Sequence, residues 1–142
     1  MSETQTARNK AIVTRLNAAM NSCDAELIAR TIDEVFAPDV RVGTPMPLET
    51  SGAEAMKEVF VRLLQAFPDL HITFEDVIAE DDKVVCRNTV TGTHKGEHLG
   101  IPATGRSVTY KEIFIARFDN GRVVETWGVV DIHSQLKQLG VL

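Results

Sequence analysis

The chain opens with a helical rhythm and, about halfway along, changes to an alternating one. Between residues 6 and 21, Ile12, Val13, Leu16, Ala19 and Met20 recur at three- and four-residue steps and leave Arg8, Lys10 and Arg15 for solvent. That spacing predicts an amphipathic helix. Asp24 is placed to cap a second helix carrying Leu27, Ile28, Thr31, Ile32 and Val35 on one face, ended by Pro38 and Asp39. Val40-Arg41-Val42 follows as a short strand, and Pro45 and Pro47 hold the next stretch extended. Ser51-Gly52-Ala53-Glu54 has the spacing of a capping box and opens a third helix. Its buried stripe is Met56, Val59, Phe60, Leu63, Leu64 and Phe67, and Pro68 stops it.

From Leu70 onward the period is two. Leu70 to Ile78 alternates up to a turn at Glu80-Asp81-Asp82, and Lys83 to about His94 is a strand rich in Val and Thr. A loop containing Gly96, Gly100, Pro102 and Gly105 leads to a strand from Ser107 to Phe118. Asn120-Gly121 marks a tight hairpin, and Arg122 to about Val130 returns. Ser134 to Leu139 reads as a short helix closed by Gly140. Helices followed by a meander of long strands predict an α+β fold, with the three N-terminal helices on one face of a strongly twisted antiparallel sheet; if that curved sheet wraps around them, a pocket is left on its concave side. No linker or repeat divides residues 1–142, so one domain is expected.

Composition narrows the function classes. A net charge of −5 offers no basic footprint for nucleic acid or an anionic membrane. No apolar run reaches the length of a membrane span, and the first residues lack the pattern of a signal peptide, so a cytoplasmic location is expected. Cys23 and Cys86 are far apart and read as small buried hydrophobes. There is no Gly-x-Ser-x-Gly elbow, no Gly-x-Gly-x-x-Gly and no phosphate loop.

Several strings converge on one family. Phe36-Ala37-Pro38-Asp39, Ala66-Phe67-Pro68-Asp69-Leu70, Gly92-Thr93-His94-Lys95-Gly96-Glu97 and Gly100-Ile101-Pro102-Ala103-Thr104-Gly105-Arg106 occur in that order. They are followed by Glu125-Thr126-Trp127, Asp131 and Gln138-Leu139-Gly140. Together they resemble the SnoaL-like polyketide cyclase family over about residues 8–142. The resemblance implies a nuclear-transport-factor-two-like cone and an intramolecular aldol condensation of a polyketide ester, without metal or cofactor. It further implies a homodimer formed through the outer face of the sheet. It assigns the acid/base to an aspartate at the end of the last strand, which corresponds to Asp131. The chain departs from the family pattern at Phe114, where a polar residue is common, and near Val42 and Gly43, where neither side chain can hydrogen-bond.

The residues themselves leave alternatives. By alternation Trp127, Val129 and Asp131 share a face, so a pocket lined by Trp127 would also hold Asp131, whose pKa would rise with lost hydration. Asp131 is equally suited to cap the helix that starts near His133. Glu112 shares a face with Tyr110 and Phe114, and either approaches Asp131 or pairs with a cation across the sheet. Tyr110 could hydrogen-bond a substrate oxygen or simply build the wall. His94 and His98 have a metal-like spacing, but the intervening glycine breaks the helix that a His-x-x-x-His site needs, so no metal is expected. They read instead as polar lining at the cavity mouth, or as surface. Trp127, Glu112, Tyr110, Phe114, His94 and His98 are thus the candidate substrate-binding residues, with Asp131 as candidate catalyst. An acid/base enzyme acting on a small hydrophobic carbonyl compound is the leading reading. A binding protein using the same pocket for an apolar metabolite is the alternative, and a hydrolase or hydroxylase relative ranks third.

Overall fold

The computed structural model describes residues 3–142. Three helices precede the main sheet, α1 (Glu3–Asn21), α2 (Ala25–Val35) and α3 (Gly52–Ala66), with strand β1 (Phe36–Gly43) between the last two. Strands β2 (His71–Glu80), β3 (Lys83–Thr93), β4 (Ser107–Asp119) and β5 (Arg122–Val130) follow, then helix α4 (Ile132–Gln138). The α+β reading therefore holds, with one change in the sheet. Its order is β1-β5-β4-β3-β2, and β1 runs parallel to β5, so the sheet is mixed rather than antiparallel. The reversal follows from connectivity. The segment that includes α3 carries the chain away before β2 begins, which frees β1 to pair with the strand that arrives last.

Two local expectations also change. Helix α2 ends at Val35, where the Phe36 N–H closes on the Ile32 carbonyl, and the strand starts at once, two residues before Pro38. Pro38 is tolerated because β1 is an edge strand, and the register with β5 shifts between Phe36 and Arg41. The Ser51 side chain makes no cap at the start of α3. Glu58, one turn further in, instead accepts from the Glu49 and Thr50 backbone N–H groups and from the Thr50 hydroxyl. Asp24 caps α2 as expected, accepting from the Glu26 and Leu27 N–H groups.

Register shifts between Phe74 and Asp76 and between Arg117 and Phe118 bend the strands, and the sheet curls around α1 and α3 without closing. Asn21 fixes α1 to the first long strand, accepting from the Ile72 N–H at 2.7 Å and donating to its carbonyl at 2.8 Å. Along the inner face, one end of each strand is packed solid. Val84, Cys86, Ala116, Phe118 and Val123 join Ile32, Val35 and Phe36 there in a continuous core. Toward the end of β5, opposite Glu112 and Phe114 of β4, the inside is left open.

Candidate active site

That open end is a cavity of about 90 Å³ between α1, α3 and the strands β1 to β5. One buried water needs about 10–15 Å³ of such room, so the space suits a small ligand or several waters. Most of the lining is apolar and includes Leu16, Met20, Met56, Phe60, Leu63, Phe114 and Val130. The polar side chains in the wall are Asn17, Thr44, Asn88, Tyr110, Glu112 and Thr126. Gly43 and Gly128 contribute bare backbone. A Cβ on Gly43 would lie 2.9 Å from the Thr126 carbonyl oxygen, so the close parallel pairing of β1 with β5 requires glycine there.

Among the described residues, Glu112 is the only carboxylate in this wall. One of its oxygens accepts from the Asn88 amide at 2.8 Å. Burial holds its pKa above the ordinary glutamate value, and the Asn88 hydrogen bond opposes that rise only in part. Asn88 faces it across the β3–β4 ladder and is 2% exposed. Tyr110, two residues before Glu112 on the same face, is also raised, by burial first and then by the nearby Glu112 charge, against a hydrogen bond from Gln135. Cys86, next to Asn88 on the inner face of β3, is pushed up to about 12, mainly by burial, and is an unreactive thiol. The amide oxygens of Asn17 and Asn88 are buried without a hydrogen-bond partner.

The expected catalyst lies elsewhere. On β5 the cavity side is Thr126, Gly128 and Val130, while Val129 is 66% exposed on the other side. Trp127, expected in the pocket, pairs with Ile115 on the outer face, and Asp131 lies exposed beyond the strand. The Asp131 side chain accepts from the Ser134 N–H at 3.0 Å and caps α4. Alternation was the right rule, but its phase is reversed, because β5 is apolar on both faces and period alone does not say which face is inside. For the same reason Glu112 does not meet Asp131. Its neighbour across the ladder is Val130, and its partner is Asn88 rather than a cation.

His94 and His98 are not at the cavity mouth or on the surface. Both are buried against the Phe67 ring, with centroids 5.7 Å and 5.1 Å away. The His94 Nδ1 accepts from the Thr104 N–H at 3.2 Å and lies 2.9 Å from the Thr104 hydroxyl. The His98 Nε2 meets the Gln135 side-chain oxygen at 3.0 Å, and burial lowers the imidazole pKa. Gly92 and Gly96, on either side of His94, serve close approach. A Cβ on Gly96 would fall 2.0 Å from the Gln65 carbonyl oxygen. Among the described residues no three His, Cys, Asp or Glu side chains gather as a metal site, and no helix is long and apolar enough to cross a membrane.

Three polar residues that shape the site went unread in the sequence. Asn88 occupies an inner-face position in the Val84-Cys86-Asn88-Val90 alternation, and Asn17 adjoins the buried stripe Val13-Leu16-Met20. A polar residue in an apolar phase was the available signal for both. Gln135 is buried because α4 folds back on β4, and nothing local announces that.

Comparison with known proteins agrees with this architecture. Residues 10–139 match the profile of the SnoaL-like polyketide cyclase family. Among solved structures, AclR from Streptomyces galilaeus, a proposed hydroxylase, is 35% identical with a TM-score of 0.81, over 96% of this chain and 83% of its own. TsrD from Streptomyces laurentii is 30% identical with a TM-score of 0.85, over 100% and 99%. IdmH from Streptomyces antibioticus, a proposed polyketide cyclase, is 32% identical with a TM-score of 0.75, over 92% and 97%. No curated protein matches the sequence significantly.

Proposed function

Because the chain belongs to the SnoaL-like polyketide cyclase family, we propose that it carries out cofactor-free acid/base chemistry of the intramolecular aldol type on a small, largely apolar carbonyl compound, with Glu112 exchanging the proton. The observation that carries this reading is an enclosed carboxylate with raised proton affinity in the wall of an otherwise apolar cavity. A carboxylate whose proton affinity is raised is, once ionised, a stronger base than an ordinary glutamate.

In its charged form Glu112 takes a proton from a carbon between two carbonyls and leaves an enolate. The enolate carbon attacks a further carbonyl elsewhere in the same molecule, forming the new carbon–carbon bond, and the resulting alkoxide takes the proton back from Glu112. Asn88, hydrogen-bonded to one Glu112 oxygen, fixes the carboxylate plane while the other oxygen works. A substrate that fills this cavity displaces water that would quench the enolate. Because the step needs the carboxylate, the rate rises with pH as Glu112 ionises through its raised pKa.

The test is deuterium exchange at the acidic carbon of ethyl acetoacetate, followed by NMR. Wild type accelerates exchange, and Glu112→Gln loses about 10²-fold or more, in line with the typical contribution of a positioned base. Asp131→Asn keeps the wild-type rate, since Asn caps a helix as well as Asp does. An unchanged rate in Glu112→Gln removes the carboxylate from the mechanism. The apolar wall and Phe114 also suit a protein that only holds its ligand, and recovery of unaltered ligand from a Glu112-independent pocket would favour that reading.

The same proposal includes a homodimer. Ile78, Ile113 and Val129 are 60%, 37% and 66% exposed on the outer face, beside Trp127 and Ile115. A contiguous apolar strip of this kind is where a second copy would pack.

A further inference from the structure

Two amides in the cavity wall spend their nitrogens on the protein and leave their oxygens unmet. Asn17, on α1, donates to the Ile72 carbonyl at 3.2 Å, and Asn88, on β3, donates to Glu112 at 2.8 Å. The oxygen ends of both are buried and unpaired. For Asn17 chemistry fixes the orientation, since a backbone carbonyl only accepts and so must face the nitrogen. The same carbonyl takes the Asn21 amide at 2.8 Å, which fills its second lone pair. For Asn88 the ionised Glu112 carboxylate, another pure acceptor, imposes the same orientation.

A buried amide oxygen without a donor is costly, and leucine would fill either position without that cost. The register places the two amides toward one side of the cavity. Ile72, which anchors Asn17, pairs with Val90, and Asn88 lies two residues before Val90 on the same inner face. Asn88 in turn stands opposite Glu112. Neighbouring strands are about 4.8 Å apart, so the Asn17 anchor on β2 is about 10 Å from the strand that carries Glu112.

The lining therefore has a polarity that its apolar character hides. The hydroxyls of Tyr110 and Thr126 can donate as well as accept and so suit a ligand carbonyl. The two amide oxygens suit only a donor, and a plain ketone or ester has none to offer. A cation would meet them, but this wall solvates a charge poorly, and a positive group beside Glu112 would lower the proton affinity that burial raises.

We propose that the ligand carries neutral hydroxyl groups, phenolic or enolic, besides its carbonyl, and that the side-chain oxygens of Asn17 and Asn88 accept from them. The hydroxylated end then lies toward β2 and β3, with the acidic carbon at Glu112. The inference rests on the cavity being the ligand site, as in the reading above, but not on Glu112 acting as the base. Asn17 and Asn88 thereby determine specificity, because a site built to accept from a hydroxyl rejects the analogue that lacks it.

The test is isothermal titration calorimetry with acetophenone, its 3'-hydroxy, 4'-hydroxy and 3',5'-dihydroxy derivatives, and the matching methyl ethers. Wild type binds the best hydroxylated probe about tenfold or more tightly than acetophenone, the scale expected for one bond to an otherwise unpaired buried acceptor. The methyl ether of that probe, which keeps the oxygen but not the O–H, binds no more tightly than acetophenone. Asn17→Leu and the smaller Asn17→Ala each cut the ratio of hydroxylated to parent affinity at least threefold. Equal affinities for the hydroxylated probes, their ethers and acetophenone in wild type overturn the proposal, even if neither variant folds. A ratio kept in full in the Asn17 variants overturns it too. Binding of none of the probes counts against the cavity as the ligand site and takes this proposal with it, whereas binding without preference overturns this proposal alone.

Discussion

The two faces of β4 and β5 use nearly the same residue types for opposite purposes. Inside, Tyr110, Glu112, Phe114, Gly128 and Val130 line the cavity. Outside, Ile113, Ile115, Trp127 and Val129 form an apolar strip that remains partly or largely exposed. An apolar alternation on both faces stabilises a sheet without declaring which side is the core. The decision comes from what packs against it, here α1 and α3 on the concave side. A carboxylate one residue out of phase therefore changes from a candidate base into a helix cap. Asp131 is that cap, and Glu112 is the carboxylate left inside.

The comparison can be broken most forcefully by moving a charge across the sheet. Val90→Asp puts an unpaired carboxylate at a position 2% exposed and is expected to cost more than about 4 kcal/mol, or to prevent folding, as read by urea denaturation. The same change at Val129, 66% exposed, should alter the stability of the subunit by no more than about 0.5 kcal/mol, yet dissociate the proposed dimer in sedimentation equilibrium. Equal losses at the two positions would mean that the faces are not distinct.

Glu112→Gln sharpens the contrast next. The folded protein binds the Glu112 proton more tightly than the unfolded chain does, because burial raises the folded pKa above 4.5. The stability linked to this group is thus full below the unfolded value and is lost as pH rises through the folded one, by about 1.4 kcal/mol for each unit of rise. Glutamine cannot ionise, so the variant should match wild type in acid and exceed it increasingly toward alkaline pH. A pH-independent difference in urea midpoint would place Glu112 in water.

Asp131→Ala is expected to have a smaller effect. Loss of the cap on α4 should cost about 0.5–2 kcal/mol in thermal or urea unfolding, with Asp131→Asn near wild type. The smallest expected change follows from His98. Burial lowers its pKa below 6.5, so the folded state resists its protonation and stability falls as pH drops from the unfolded value through the folded one. His98→Asn should flatten that acid-side slope in urea midpoints measured against pH, and an unaltered slope would remove His98 from it.

Much of the fold was readable one segment at a time. The stripe Val13-Leu16-Met20, the Asp24 cap, the Asn120-Gly121 hairpin and the long Val- and Thr-rich strands are local signals, and each element formed near its expected bounds. Glu112, Tyr110 and Phe114 were correctly grouped on one face, because period two needs no partner to be read. The direction of β1, the cavity side of β5 and the burial of His94, His98 and Gln135 were not readable in this way. Sequence by itself determined the elements, their amphipathic periods and the family, since these depend on neighbours three or four residues away along the chain. Only the tertiary structure decided which face of the sheet became the interior and which carboxylate lost its water, because desolvation is set by elements that meet across the whole length of the molecule.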